Sequence, residues 1–197
     1  MTNLAFRKLH RQLAPILFLP LGITALTGVA FRLGRSWFGM SGEAADIFMV
    51  IHQGEYLGEK LESVYVLLLG LGLLGMIFTG LFMVRRLSHN RPAKQQSKMD
   101  FRRLHRLLAP IVFLPLIISA VTGIIYRVGK SWFGLSSEQA EIFMMIHQGE
   151  YLGDFWKSIY VFLVGLGLVA MLLTGINMTG LLRKRRNQVT SPDQTPS

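Results

Sequence analysis

The chain has no cysteine, which excludes disulfides, thiolate metal sites, iron–sulfur clusters and haem attached through C-x-x-C-H. Charge is scarce as well: Asp, Glu, Lys and Arg make up 16% of the residues, against roughly 25% in soluble domains. The shortage is concentrated in four stretches, 13–31, 64–84, 107–126 and 159–182, which contain no Asp, Glu, Lys or Arg. Each is about 20 residues long, the length that crosses a hydrocarbon core at 1.5 Å per residue. A soluble domain carrying four such helices in 197 residues would have little polar surface left, so the expectation is an integral membrane protein. The first stretch follows Arg7, Lys8 and Arg11 but is too long for a signal-peptide core and lacks a small-residue cleavage site.

The net charge of +10 is unevenly placed. Fifteen of the 21 Lys and Arg residues fall in the N-terminal segment, the middle of the chain around 85–106 and the segment 183–186, and the same side takes 2 acids, Asp100 and Asp193. The loops 32–62 and 127–157 hold the other 6 bases and 9 acids. One side of the bilayer thus carries +13 and the other −3, and the positive-inside rule makes both termini and the central segment cytoplasmic. The basicity is a topology signal rather than a nucleic-acid footprint.

Residues 6–85 align without a gap on 101–180 at an offset of 95, with about 60% identity, far above chance for apolar sequence. FRKLHRQLAPILFLP returns as FRRLHRLLAPIVFLP, and IHQGEYLG returns unchanged. The expected organisation is a first two-helix repeat at 1–85, a cytoplasmic linker at 86–100, a second repeat at 101–186 and a disordered tail at 187–197. Two spans per unit make this a parallel repeat, whose natural symmetry is a pseudo-two-fold axis along the membrane normal. The expected fold is therefore all-α, a four-helix transmembrane bundle. Ser41 and Ser136 read as N-caps of a short apolar helix at the outer interface of each unit. Pro15, Pro20, Pro110 and Pro115 should bend the first span of each unit. The recurrent glycines at 70 and 72 and the four Thr-Gly pairs read as packing seams.

Of five histidines, His89 has no repeat counterpart and reads as solvated. His10 and His105 lie at the cytoplasmic ends of the first and third spans, and His52 and His147 near the outer ends of the second and fourth. Symmetry sets each pair across the axis at equal depth. Facing neutral imidazoles in an apolar bundle suit the two axial positions of one haem iron. The lack of an acid within the spans argues against zinc or a di-iron carboxylate site. Without C-x-x-C-H, the haem would be of b type, one or two per chain. Arg7, Arg11, Arg102 and Arg106 flank the inner pair, and Arg32, Arg35, Arg127 and Lys130 the outer one. These could hold propionates, and all eight also fit as interfacial anchors. The bland alternative is that the histidines only hydrogen-bond to backbone or headgroups.

These residues resemble the PepSY-associated transmembrane helix family. There, a first span opens on Leu-His-Arg and ends in Thr-Gly, as in KLHR at 8–11 with ALTG at 25–28, and in RLHR at 103–106 with AVTG at 120–123. A second span follows His-x-Gly and closes on Thr-Gly before basic residues, as in HQGEYLG at 52–58 and again at 147–153. The resemblance covers about 160 residues. It implies a bacterial inner-membrane protein linked to iron uptake and reduction of ferric chelates, with the histidines as haem ligands. The outer loops are too short to hold a PepSY domain, a departure that puts any carry-over of siderophore handling or peptidase regulation in doubt.

Two functions follow as expectations. The first is a membrane cytochrome b passing electrons within or across the bilayer, with quinol, superoxide and ferric chelates all chemically compatible partners. The second is a non-enzymatic accessory or assembly subunit of a larger membrane complex that binds a tetrapyrrole for delivery, or nothing. Metal-ion transport is disfavoured because no acid lies in a span.

Overall fold

The computed structural model describes residues 3–87 and 100–179. The expected tail at 187–197 lies outside them, as does the linker at 86–100 except for its ends. Those ends are the last residues of a helix reaching Leu87 and Asp100, which precedes the next helix. His89 also lies outside the described residues.

Among the described residues all regular structure is helical. In chain order, α1 covers Asn3–Ser36, α2 Gly42–Gln53, α3 Glu59–Leu87, α4 Phe101–Phe133, α5 Ser137–Gln148 and α6 Asp154–Thr179. Four of these, over Leu4–Ser36, Glu59–Met83, Phe101–Phe133 and Asp154–Thr179, are long and apolar enough to cross a membrane. Large apolar side chains such as Ile16, Leu68, Ile111 and Leu163 face outward on them, as a surface solvated by lipid requires. The prolines at 15, 20, 110 and 115 sit inside unbroken helices.

The short helices begin and end where local chemistry dictates. The Ser41 side chain accepts from the Ala44 amide, and Ser136 forms a reciprocal capping box with Gln139. Both helices stop on a glycine with positive φ, Gly54 at 76° and Gly149 at 70°, a conformation that costs other residues 1–2 kcal/mol. Each then makes one turn of 3₁₀ helix and enters the next span.

Helix α1 packs on α3 and α6, and α4 packs on α3 and α6, while no Cα of α1 comes within 8 Å of one of α4, nor any of α3 within 8 Å of one of α6. Each repeat is thus a helix pair, and the pairs join along two seams, α1·α6 and α3·α4. Glycine permits both seams. A Cβ on Gly70 would lie 2.5 Å from the Ile124 side chain, and one on Gly165 would collide with Val29. The seam reading of these two positions is therefore correct. Helices α2 and α5 fold back along α1 and α4, bringing His52 and His147 inward from the loop end of the bundle. The opposite end, where His10 and His105 lie, is called the basic end.

Candidate functional site

The ring centroids of His52 and His147 are 6.4 Å apart, with the planes at 68°. The two histidines come from different repeats, on α2 and α5 rather than on the spans themselves. His52 Nδ1 lies 2.8 Å from the Thr24 carbonyl oxygen, and His147 Nδ1 lies 2.9 Å from that of Ser119. A carbonyl only accepts, so each Nδ1 carries a proton and donates it. In the neutral ring the Nε2 lone pair is then unprotonated. Burial depresses both imidazoles below the ordinary histidine range. For His147 the drop is to about 4, with the proximity of His52 adding to burial. Desolvation penalises the charged form, so both rings stay neutral at physiological pH and keep a lone pair to give.

The same tautomer is imposed at the basic end by a different device. Thr79 Oγ1 donates its single proton to the Gly75 carbonyl at 2.7 Å, and Thr174 Oγ1 donates to that of Ala170 at 2.7 Å. Each hydroxyl oxygen is left as an acceptor, and it receives the Nδ1–H of His10 or His105, both at 2.8 Å. All four histidines therefore present Nε2 with its lone pair. Along α1, His10 and Thr24, the residue that holds His52, are 14 positions apart, about 21 Å at helical rise.

Each imidazole also lies against the glycine of a Thr-Gly pair. A Cβ on Gly28 would meet His52 Cε1 at 2.9 Å, one on Gly123 would meet His147 Cε1 at 3.2 Å, and Gly80 and Gly175 face His10 and His105 at 3.4 and 3.6 Å. The expectation that the Thr-Gly pairs are only packing seams is corrected here. They seat the histidines, and at 79 and 174 the threonine hydroxyl sets the tautomer.

A largely apolar cavity of about 210 Å³ lies between the repeats at the loop end, with His52 and His147 on its wall. Thirty residues line it, and they form fifteen pairs at the offset of 95. At its mouth, Arg127 bonds to Gln53 and Arg32 to Gln148, each from one repeat to the other. Gln53 and Gln148, which follow the histidines in the copied HQG, thus tie the units together, and Tyr65 and Tyr160 pack on Gly54 and Gly149. No sequence signal beyond unchanged copying marks these four.

The other basic candidates are less engaged. Lys130 Nζ stands 5.3 Å from the centre of the Tyr126 ring. Arg35 is exposed beside Gly42. Arg7, Arg11, Arg102 and Arg106 are exposed at the basic end, where Arg106 bonds to the Arg102 carbonyl.

A family model described as PepSY-associated TM region matches residues 33–141, just over half of the chain. The match takes in His52 and His105 and stops short of His10 and His147. No curated protein and no solved structure matches the chain.

Proposed function

The chain belongs to the PepSY-associated TM region family, and from the geometry of His52 and His147 we propose that it is a membrane cytochrome b. His52 and His147 hold one b-type haem in the loop-end cavity, and His10 with His105 hold a second at the basic end. One observation carries the reading: two tautomer-locked, neutral imidazoles from opposite repeats stand 6.4 Å apart, centroid to centroid, on one cavity. Two imidazoles at this separation, each with an unprotonated Nε2, would hold one haem iron between them. The donor set fits the group.

When bound, a bis-imidazole haem supplies reversible one-electron transfer without an open coordination position. The residues of this chain do the rest. Thr24 and Ser119 carbonyls and the Thr79 and Thr174 hydroxyls orient the rings and raise their basicity, the usual task of groups behind a ligating histidine. Gly28 and Gly123 leave room for the rings, and the apolar lining of the cavity excludes water. Ligand levels about 21 Å apart along α1 suit passage of electrons between the two ends of the bundle. In this reading the protein sits in a bacterial inner membrane with cytoplasmic termini, and quinone, superoxide or a ferric chelate is the electron partner.

The test is a pyridine haemochrome assay on haem-replete wild type and four single variants. His52→Ala and His147→Ala should lose the loop-end haem and keep the other. His10→Ala and His105→Ala should do the reverse. Wild type purified without haem would defeat the cytochrome reading and leave that of an accessory subunit.

A further inference from the structure

Arg32 and Arg127 are repeat partners, both line the cavity, and both reach a glutamine of the other repeat. Beyond that they differ. Arg127 Nη1 donates to Glu62 Oε1 at 2.8 Å, the two side chains 17% and 12% exposed, and Nη2 lies 3.3 Å from Glu55 Oε1. The repeat partner of Glu62 is Lys157, which turns to Asp154 at 2.7 Å. Among the described residues no carboxylate pairs with Arg32. Glu150 and Asp154 act on it only from beyond ion-pair distance.

A second asymmetry concerns the two tyrosines of the cavity. Tyr65 Oη lies 3.3 Å from Thr24 Oγ1, whereas the hydroxyl of its partner Tyr160 is buried without a hydrogen-bond partner among the described residues. Both tyrosines line the cavity. Arg32 stands on α1 and Tyr160 on α6, two helices that pack together, while the Tyr65 hydroxyl turns to α1 of its own repeat. Arg127 Nε is also buried without a partner, but its charge is met by two carboxylates. An unpaired guanidinium beside an apolar cavity, and a buried hydroxyl with nothing to bond, each cost free energy that a ligand oxygen would relieve.

We propose that the α1·α6 side of the loop-end cavity is a carboxylate-binding subsite in which Arg32 holds the anion, while Arg127 is a structural tie neutralised by Glu55 and Glu62. A guanidinium suits this ligand because its fork of N–H donors matches a carboxylate. The carboxylate is either a propionate of the tetrapyrrole or a carboxylate of a chelate arriving from the loop side. Only the first source rests on the cytochrome reading.

Two arms separate the sources. In the first, protein stripped of haem is titrated with protohaem IX and with its dimethyl ester, which lacks free carboxylates. In the second, ferric citrate binding is measured by calorimetry on stripped and haem-loaded protein. The variants are Arg32→Gln, Lys157→Glu, which gives Arg32 the partner that Arg127 has, and Arg127→Gln. If a propionate is the occupant, wild type prefers protohaem over the ester by about tenfold, a charge-assisted bond's worth. Arg32→Gln and Lys157→Glu then bring the ratio close to one. If a chelate is the occupant, that ratio is unchanged and both variants weaken citrate binding by a similar factor. Arg32→Gln and Lys157→Glu matching wild type in both arms would overturn the subsite, as would a larger effect from Arg127→Gln. Failure of either porphyrin to bind would count against the cytochrome reading alone, because the citrate arm on stripped protein still decides the role of Arg32.

Discussion

Alanine at Gly28 tests the seating of His52 with a sign opposite to the ordinary expectation. In a helix with open space beside it, Gly→Ala stabilises by about 0.8–1 kcal/mol. At Gly28 the new Cβ would lie 2.9 Å from His52 Cε1 and 3.0 Å from Nδ1, about half an ångström inside ordinary contact. The ring cannot retreat freely, because Nδ1 is tied at 2.8 Å to the Thr24 carbonyl one turn away on the same helix. Overpacking of this kind costs about 1–3 kcal/mol, and loss of the tie about 0.5–1.5 kcal/mol. Net of the propensity gain, haem affinity at the loop end should fall by about tenfold or more. The series is graded by distance: Gly123→Ala, at 3.2 Å, should be milder, and Gly80→Ala and Gly175→Ala, at 3.4 and 3.6 Å, should be near neutral. The assay is haem titration of stripped protein, with haemochrome stoichiometry and low-spin electron paramagnetic resonance signals to identify the site affected. Wild-type affinity in Gly28→Ala, or a greater loss in Gly175→Ala than in Gly28→Ala, would refute the seating argument.

Thr79→Val keeps the shape of the side chain and removes the acceptor of the His10 Nδ1–H; haem affinity at the basic end should drop about tenfold, with the loop-end site unchanged in the same titration. Reporter fusions after Arg186 should read as cytoplasmic, given +13 against −3 across the membrane; an external signal would invert the topology. The chain has no native cysteine, so introduced pairs report packing cleanly. Val29→Cys with Gly165→Cys, and Ile124→Cys with Gly70→Cys, should each crosslink within one chain, whereas Leu26→Cys with Val121→Cys should not. Crosslinking of the last pair would contradict the separation of α1 from α4. Equal crosslinking yields at the two seams would support the pseudo-two-fold relation between the repeats.

Much of this protein is determined by sequence alone, because membrane insertion is a local constraint. A span needs about 20 uncharged residues wherever it occurs, so four helices can be read from composition without knowing what they touch. The 95-residue offset couples distant positions through identity rather than contact, and it marks His10 with His105 and His52 with His147 as equivalent positions of the two repeats. The serine caps at 41 and 136 are equally local.

The details of the site belong to the tertiary structure. Sequence spacing allowed the two histidine levels to lie up to about 30 Å apart. Only the folding back of α2 and α5 onto α1 and α4 brings His52 to the level of Thr24. The roles of Thr79, Thr174, Gly28 and Gly123 depend on contacts 24 to 69 positions apart along the chain, which no periodicity encodes. The difference between Arg32 and Arg127 is likewise invisible in their own neighbourhoods, which carry no acid in either repeat. It arises because a guanidinium takes its charge balance from whatever lies across the seam: the Glu62 and Lys157 difference is written in the sequence, but only the fold shows that position 62 faces Arg127.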